Sequence, residues 1–150
     1  MRNRMANDNV NIYLKTTINQ AGESEVFEFD TTGEVLIKNG EFFLRYVEVI
    51  AGQNQTKVLF KIAGERARLN RSGDVLTKLS FSKGQRLPAH YQTPAGQMQL
   101  ETYTTALSSQ LDVIQLSGLA NISYDLYAND AIIGQYDILL QFTQKSSKLN

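Results

Sequence analysis

Glu48, Arg71 and Tyr46 are the residues whose types and spacing point most directly to a site. Glu48 continues an alternation of large side chains that runs through Tyr46, and Arg71 continues another that runs through Leu69. A charge on an inward strand face is costly unless it is paired. The sequence therefore predicts that Glu48 and Arg71 are partners and that, with Tyr46, they anchor a ligand among apolar walls. The alternative is that both lie at strand ends and reach water.

Aromatic residues follow the same alternation through much of the chain. The candidate ligand-binding residues inside the fold are Tyr46, Glu48, Arg71, Tyr124 and Tyr136. Nine aromatic residues fall on expected inward faces: Phe27, Phe29, Phe42, Tyr46, Phe60, Phe81, Tyr124, Tyr136 and Phe142. A small barrel is only just wide enough to be filled by its own side chains or to hold one small ligand. A binding cup and a packed core therefore both remain open.

A second candidate site is a set of cations on three successive strands, on the face opposite the core. Its residues are Lys57, Lys61, Arg66, Arg68 and Lys78, a candidate anion-binding patch. The net charge is zero, but residues 51–100 hold eight Lys or Arg against two Asp or Glu, between two acidic segments. Such a patch suits phosphates, although an ordinary alternative is charge pairing between neighbouring strands. Few exposed aromatic residues accompany it, which disfavours binding of single-stranded nucleic acid.

Chemistry that depends on cysteine or on several histidines is excluded. The chain has no cysteine, and His90 is its one histidine. By alternation His90 points away from Tyr91 and Thr93, so we expect it on the surface. Phosphate-binding glycine loops, nucleophile elbows and zinc-protease motifs are absent. We therefore expect no catalytic residue, metal or cofactor, and the sequence favours a protein that is not an enzyme.

The elements that must position these residues have a period of two nearly throughout, which is typical of strands with one wet face. Asn39-Gly40 is the strongest hairpin signal, because both residues accept the positive φ of a type I′ turn. The pattern predicts an all-β, closed antiparallel barrel of about eight to ten strands, with a sandwich as the alternative. Gly33 is expected at a bulge or bend, and residues 106–113 are the one stretch where a helical turn is considered. One domain spans 1–150, with loose termini at 1–9 and 145–150.

Several segments together resemble the YwiB-like family of small bacterial proteins. They begin with residues 29–33 (Phe-Asp-Thr-Thr-Gly) and 42–48 (Phe-Phe-Leu-Arg-Tyr-Val-Glu). Further matches are residues 71–73, Tyr91 with Thr93 and Gly96, Leu100 with Thr102 and Thr104, and residues 122–125. The resemblance covers about 11–143 in the right order. It implies a lipocalin-like or calycin-like barrel of unknown function and supplies no catalytic residues.

The expected setting is the cytoplasm. The chain lacks cysteine, its N-terminus lacks the apolar stretch of a signal peptide, and no apolar run approaches the roughly 18 residues of a membrane-spanning helix. The leading hypothesis is a barrel that binds a small apolar or amphipathic molecule in its lumen. The alternative is a protein-interaction or anion-binding module that uses the basic outer face around a filled core.

Overall fold

The chain folds into a closed antiparallel barrel of ten strands, as seen in a computed structural model that describes residues 8–49 and 51–145. The predicted all-β barrel is therefore confirmed, and the sandwich alternative is wrong. The strands are β1 (Val10–Gln20), β2 (Glu23–Lys38), β3 (Glu41–Glu48), β4 (Thr56–Ala63), β5 (Arg66–Ser72), β6 (Leu76–Ser82), β7 (Arg86–Thr93), β8 (Gly96–Asp112), β9 (Ser117–Ala128) and β10 (Ala131–Gln144). Within the described ranges, no helix is long and apolar enough to cross a membrane.

Every strand pairs with its neighbours in sequence, and β1 closes the barrel against β10. Short connections make this meander possible, because antiparallel neighbours need only tight turns. Asn39 and Gly40 have φ of 54° and 79°, so the predicted hairpin between β2 and β3 is confirmed.

The interior is built from alternate residues of all ten strands, as the period of two predicts. The largest core side chains have almost no surface accessible to water, either from outside or from within the barrel. They include Phe60, Phe81, Phe142, Leu44 and Ile122. Phe42 and Phe142 pack with ring centroids 6.1 Å apart. The middle of the barrel is therefore a packed core rather than an open cup.

The second half of β8 differs from the sequence expectation in two ways: it contains no helical turn, and it contains a bulge. β8 continues as a strand to Asp112, so the helical turn considered over 106–113 is not formed. The register between β8 and β9 shifts between Thr104 and Ala106. One extra residue in a strand reverses which face later side chains occupy. Ala106, which has the same parity as the buried Thr104, is consequently exposed, and Leu107 packs against the core instead.

Gly33 lies where β2 ends its pairing with β1 and begins its pairing with β3, and of the bulge or bend predicted there the bulge is not formed. β2 pairs with β1 without a register break through Gly33, and with β3 from Glu34 onward. A Cβ at Gly33 would lie 2.4 Å from the carbonyl oxygen of Arg45 and 2.6 Å from Cδ1 of Ile12. The glycine therefore permits a close approach of β2 to β3.

Asn9 and Lys145, both expected in loose termini, are held in place. The Asn9 amide N–H donates to the Gly33 carbonyl, and the Asn9 side chain bonds both the N–H and the carbonyl of Val35. The Lys145 N–H donates to the Asn9 carbonyl. These bonds satisfy backbone groups where β1 begins and β10 ends, so order extends further than composition suggests. The remaining termini, 1–7 and 146–150, lie outside the described residues.

The walls of the barrel are unequal at the end where β3, β5 and β7 finish, which we call the mouth. There, residues 23–32 of β2 pair with β1 alone, because β2 pairs with β3 only over 34–38. Phe27 was expected to face the interior as part of the core, and Met98 has the same parity as the buried Leu100. They are instead 48% and 49% exposed, because they lie near strand ends at the mouth, Phe27 on the part of β2 that has no β3 neighbour.

The strands also separate at one place near the opposite end, which we call the base. β6 pairs with β7 only over 76–78 and 90–92. Toward the base the two strands part, and Thr102 of β8 reaches across to donate its hydroxyl to the Ser80 carbonyl at 2.8 Å. Pro88, which lacks an N–H, lies on this stretch of β7. The separation leaves a gap in the wall between Ser80–Ser82 and the start of β7.

Candidate functional site at the barrel mouth

Glu48 and Arg71 form a two-pronged ion pair at the mouth, so the predicted partnership is confirmed. Arg71 Nη1 donates to Glu48 Oε2 at 3.0 Å, and Arg71 Nη2 contacts Glu48 Oε1. Glu48 is the last residue of β3 and Arg71 lies on β5, with Val58 of β4 between Tyr46 and Arg71 in the register. The side chain of Glu48 is 2% exposed, whereas that of Arg71 is 33% exposed. The carboxylate is thus inside, and its cation extends from it toward solvent.

The pair is electrostatically coupled. Burial by itself would lower the pKa of Arg71, but the hydrogen bond and charge of Glu48 outweigh burial and raise this pKa. The guanidinium therefore stays charged at any ordinary pH. Taking both groups out of water costs about as much as their attraction returns, so the pair is weak evidence for stability.

Four tyrosines pack in or against the core of the barrel, and Tyr46 contacts the ion pair. The Tyr46 hydroxyl donates to Glu48 Oε2 across a long 3.4 Å contact. Tyr124 and Tyr136 stack with ring centroids 4.9 Å apart and planes 3° from parallel. Arg71 of β5 is directly opposite Thr77 of β6, which is in turn opposite Tyr91 of β7, so Tyr91 lies two strands from Arg71 at the same level of the sheet. Of the five predicted ligand-binding residues, Tyr46, Glu48 and Arg71 are thus in contact at the mouth, whereas Tyr124 and Tyr136 contact each other; whether any of them binds a ligand stays a prediction.

Tyr91 is the member of this cluster that sequence reasoning missed. It was noted for its family resemblance and as the residue opposite His90, but not as a site residue. The usable signal was its parity: if His90 faces outward, Tyr91 faces the lumen. The structure confirms that His90 is exposed and that Tyr91 packs against the core. No group of three or more His, Asp or Glu in 8–49 and 51–145 could hold a metal ion.

The tyrosines give the fold a predictable alkaline limit. Burial raises the pKa of Tyr91 to about 12, and burial likewise raises the pKa of Tyr46 and Tyr124 above their ordinary value. The unfolded chain loses these protons near pH 10, before the folded protein does, so stability is present below pH 10 and falls as pH rises toward 12. Replacing Tyr91 with Phe is expected to reduce this fall. Urea denaturation of both proteins at neutral pH and above pH 10 measures it, and an equal loss in both would contradict the assignment.

The five cations of the outer face lie on β4, β5 and β6, which are neighbours as predicted. Lys61 is directly opposite Arg68 in the register and also lies 3.3 Å from Glu41 of β3. Lys61 further lies over the ring of Phe43, 5.5 Å from its centroid. Pairing across neighbouring strands therefore accounts for part of the charge asymmetry, as the ordinary alternative expected. Ion pairs of Arg86 with Glu101 and of Arg71 with Glu48 join the basic segment to both acidic ones.

Comparison with known proteins places this barrel in a family. Residues 12–140 match the model of a domain of unknown function, DUF1934. The chain belongs to the DUF1934 family. It is 30% identical over 121 residues to the uncharacterized β-barrel protein YwiB of Bacillus subtilis strain 168, covering 81% of this chain and 83% of that protein. The predicted YwiB-like resemblance is thereby confirmed.

The family also has a solved structure with the same fold. The crystal structure of the YwiB protein from Bacillus subtilis superposes with a TM-score of 0.80 at 25% identity, over 93% of this chain and 94% of that one. This chain therefore shares its fold with YwiB. Neither comparison assigns a ligand or a catalytic residue, so the function must be argued from the mouth and the outer face themselves.

Proposed function

We propose that this DUF1934 protein binds a small amphipathic molecule at the mouth of its barrel, with the polar end of that molecule on Arg71. The observation that carries the proposal is a partly exposed guanidinium fixed by a buried carboxylate, to which the Tyr46 hydroxyl also donates. Because the middle of the barrel is packed, the ligand occupies the mouth and not the whole lumen.

The polar end of the ligand must accept hydrogen bonds. The two contacts with Glu48 use one N–H on each Nη of Arg71, which leaves the Nε–H and the second N–H of each Nη for another partner. Arginine has five donors in a rigid fork and no acceptor, so it selects carboxylate, sulfonate or carbonyl oxygens. Glu48 holds the fork in one orientation before the ligand arrives, which lowers the entropy lost on binding.

The apolar part of the ligand has walls available at the same end. Phe27 has an inward-facing position on the part of β2 that does not pair with β3. Met98 of β8 is directly opposite Tyr91 of β7. Both are half exposed although their strand faces point to the lumen. Small-molecule sites typically combine such apolar walls with a few polar groups.

Binding of the fluorescent probe anilinonaphthalene sulfonate tests the proposal. The double variant Glu48→Gln with Arg71→Met removes the donor without leaving a buried charge unpaired. We expect it to bind the probe roughly tenfold more weakly, because a hydrogen bond to a charged group is worth about 1.5 to 3 kcal/mol. Arg45→Met is the matched control, since Arg45 is an exposed outer-face arginine paired with Glu34, and it should bind as the natural protein does. Equal affinity of the double variant and the control would contradict the proposal.

A cytoplasmic location and a lipocalin-like or calycin-like relationship stay predictions from the sequence. Both agree with a small binding barrel, and both await a measurement of their own. Fractionation of cells that express the tagged protein tests the first.

A further inference from the structure

A groove on the basic outer face is separate from the mouth. It has a volume of about 330 Å³ and is lined on its cationic side by Lys61, Arg66 and Arg68. Ser80 and Ser82 of β6 stand opposite Arg68 and Arg66 in the register and line it too. A volume of this order lies at the lower end of the range for small-molecule sites.

The positions of the cations in this groove are electrostatically unfavourable. Lys61 and Arg68 are directly opposite across β4 and β5, where like charges destabilise a sheet. Arg45, Arg71 and Arg86 each have a carboxylate within ion-pair distance. Arg66 and Arg68 have none among the residues that the structure describes. Glu41, which contacts Lys61, is the one acidic residue in the lining. An anion in the groove would relieve this repulsion.

The floor of the groove is apolar because the wall opens there. Where β6 and β7 part, the half-buried Leu87 supplies apolar surface beside the buried Phe81 and Ala67, and Gln85 from the connecting segment closes one side. Cations at the rim and apolar side chains at the floor suit an anion that carries an organic group. A row of phosphates alone would use the rim and leave the floor empty.

We infer that this groove binds the phosphate monoester of a small organic molecule. Arg66 and Arg68 present planar forks that match phosphate oxygens with paired hydrogen bonds, and Ser80 and Ser82 supply hydroxyl groups beside them. A nucleic acid fits less well, because single-strand binders stack bases on exposed rings. Phe43 of the neighbouring strand β3 is covered by Lys61.

Calorimetric titration of the whole protein with phenyl phosphate at low salt tests this site. Saturable binding is expected, weaker binding for inorganic phosphate, and roughly tenfold weaker phenyl phosphate binding for Arg68→Gln and for Arg66→Gln, since each loses charge-assisted bonds. Lys78→Gln is the matched control: it removes a cation from the same outer face outside the groove, and it should retain affinity within about twofold.

Three outcomes would overturn the inference. The first is no saturable binding of phenyl phosphate at low salt. The second is an equal loss in Lys78→Gln and Arg68→Gln, which would show a diffuse charge effect instead of a site. The third is tighter binding of a single-stranded oligonucleotide with a steep salt dependence to which all five cations contribute, which would assign the face to nucleic acid. None of these depends on Arg71, so the mouth proposal stands or fails separately.

Discussion

Arg71→Met is expected to lower the free energy of unfolding by about 3 to 5 kcal/mol, because it leaves the carboxylate of Glu48 buried without a partner. Glu48→Gln should cost less, about 1 to 3 kcal/mol. The reason is the unequal burial of the pair: the guanidinium already reaches solvent, whereas the carboxylate is 2% exposed. The difference between the two single variants therefore reports which charge is inside.

Chemical denaturation of both single variants and of the double variant measures this coupling. Glu48→Gln with Arg71→Met should recover a large part of the loss seen in Arg71→Met, since no charge then remains buried. Strictly additive effects would show that the two side chains do not interact. Arg45→Met again serves as the control and should change stability by less than about 1 kcal/mol, because its partner Glu34 is near the surface.

Gly33→Ala is expected to destabilise the barrel by about 3 kcal/mol, near the upper end of what overpacking usually costs. The new Cβ would lie 2.4 Å from the backbone oxygen of Arg45, which cannot rotate away as a side chain would. β2 would have to move away from β3 next to Glu34, where the pairing between the two strands begins.

The control is Ser24→Ala on the exposed part of the same strand, which should change the unfolding free energy by no more than about 0.5 kcal/mol. Thermal or urea denaturation of both variants decides the matter. A Gly33→Ala protein as stable as Ser24→Ala would mean that β2 and β3 do not approach each other as closely as the structure has them.

The alternation of side chains made most of this fold predictable. It placed Glu48 and Arg71 on inward faces, and the cost of an unpaired inward charge was enough to predict that they meet. The turn at Asn39-Gly40 could be predicted from local chemistry, since few residues accept its positive φ. These features depend on neighbouring residues along the chain or on one strong energy term.

What could not be predicted depends on where neighbouring strands begin and end. Phe27 has the parity of a core residue, but its strand extends beyond β3, and a single sequence does not show how far a neighbour reaches. The bulge after Thr104 reverses parity without any glycine to mark it. The outer groove likewise depends on the separation of β6 from β7, for which Pro88 was the only local sign.

The claim that Arg71 is the polar anchor of a mouth site is tested most directly by nuclear magnetic resonance of its Nε–H group. Octanoate, a small amphipathic carboxylate, is titrated into the ¹⁵N-labelled natural protein while the arginine side-chain signals are followed. A saturable shift of the Arg71 signal is expected, with that of the exposed Arg45 unchanged. An Arg71 signal that stays in place while octanoate saturates another site, or an absence of any shift, would contradict the claim.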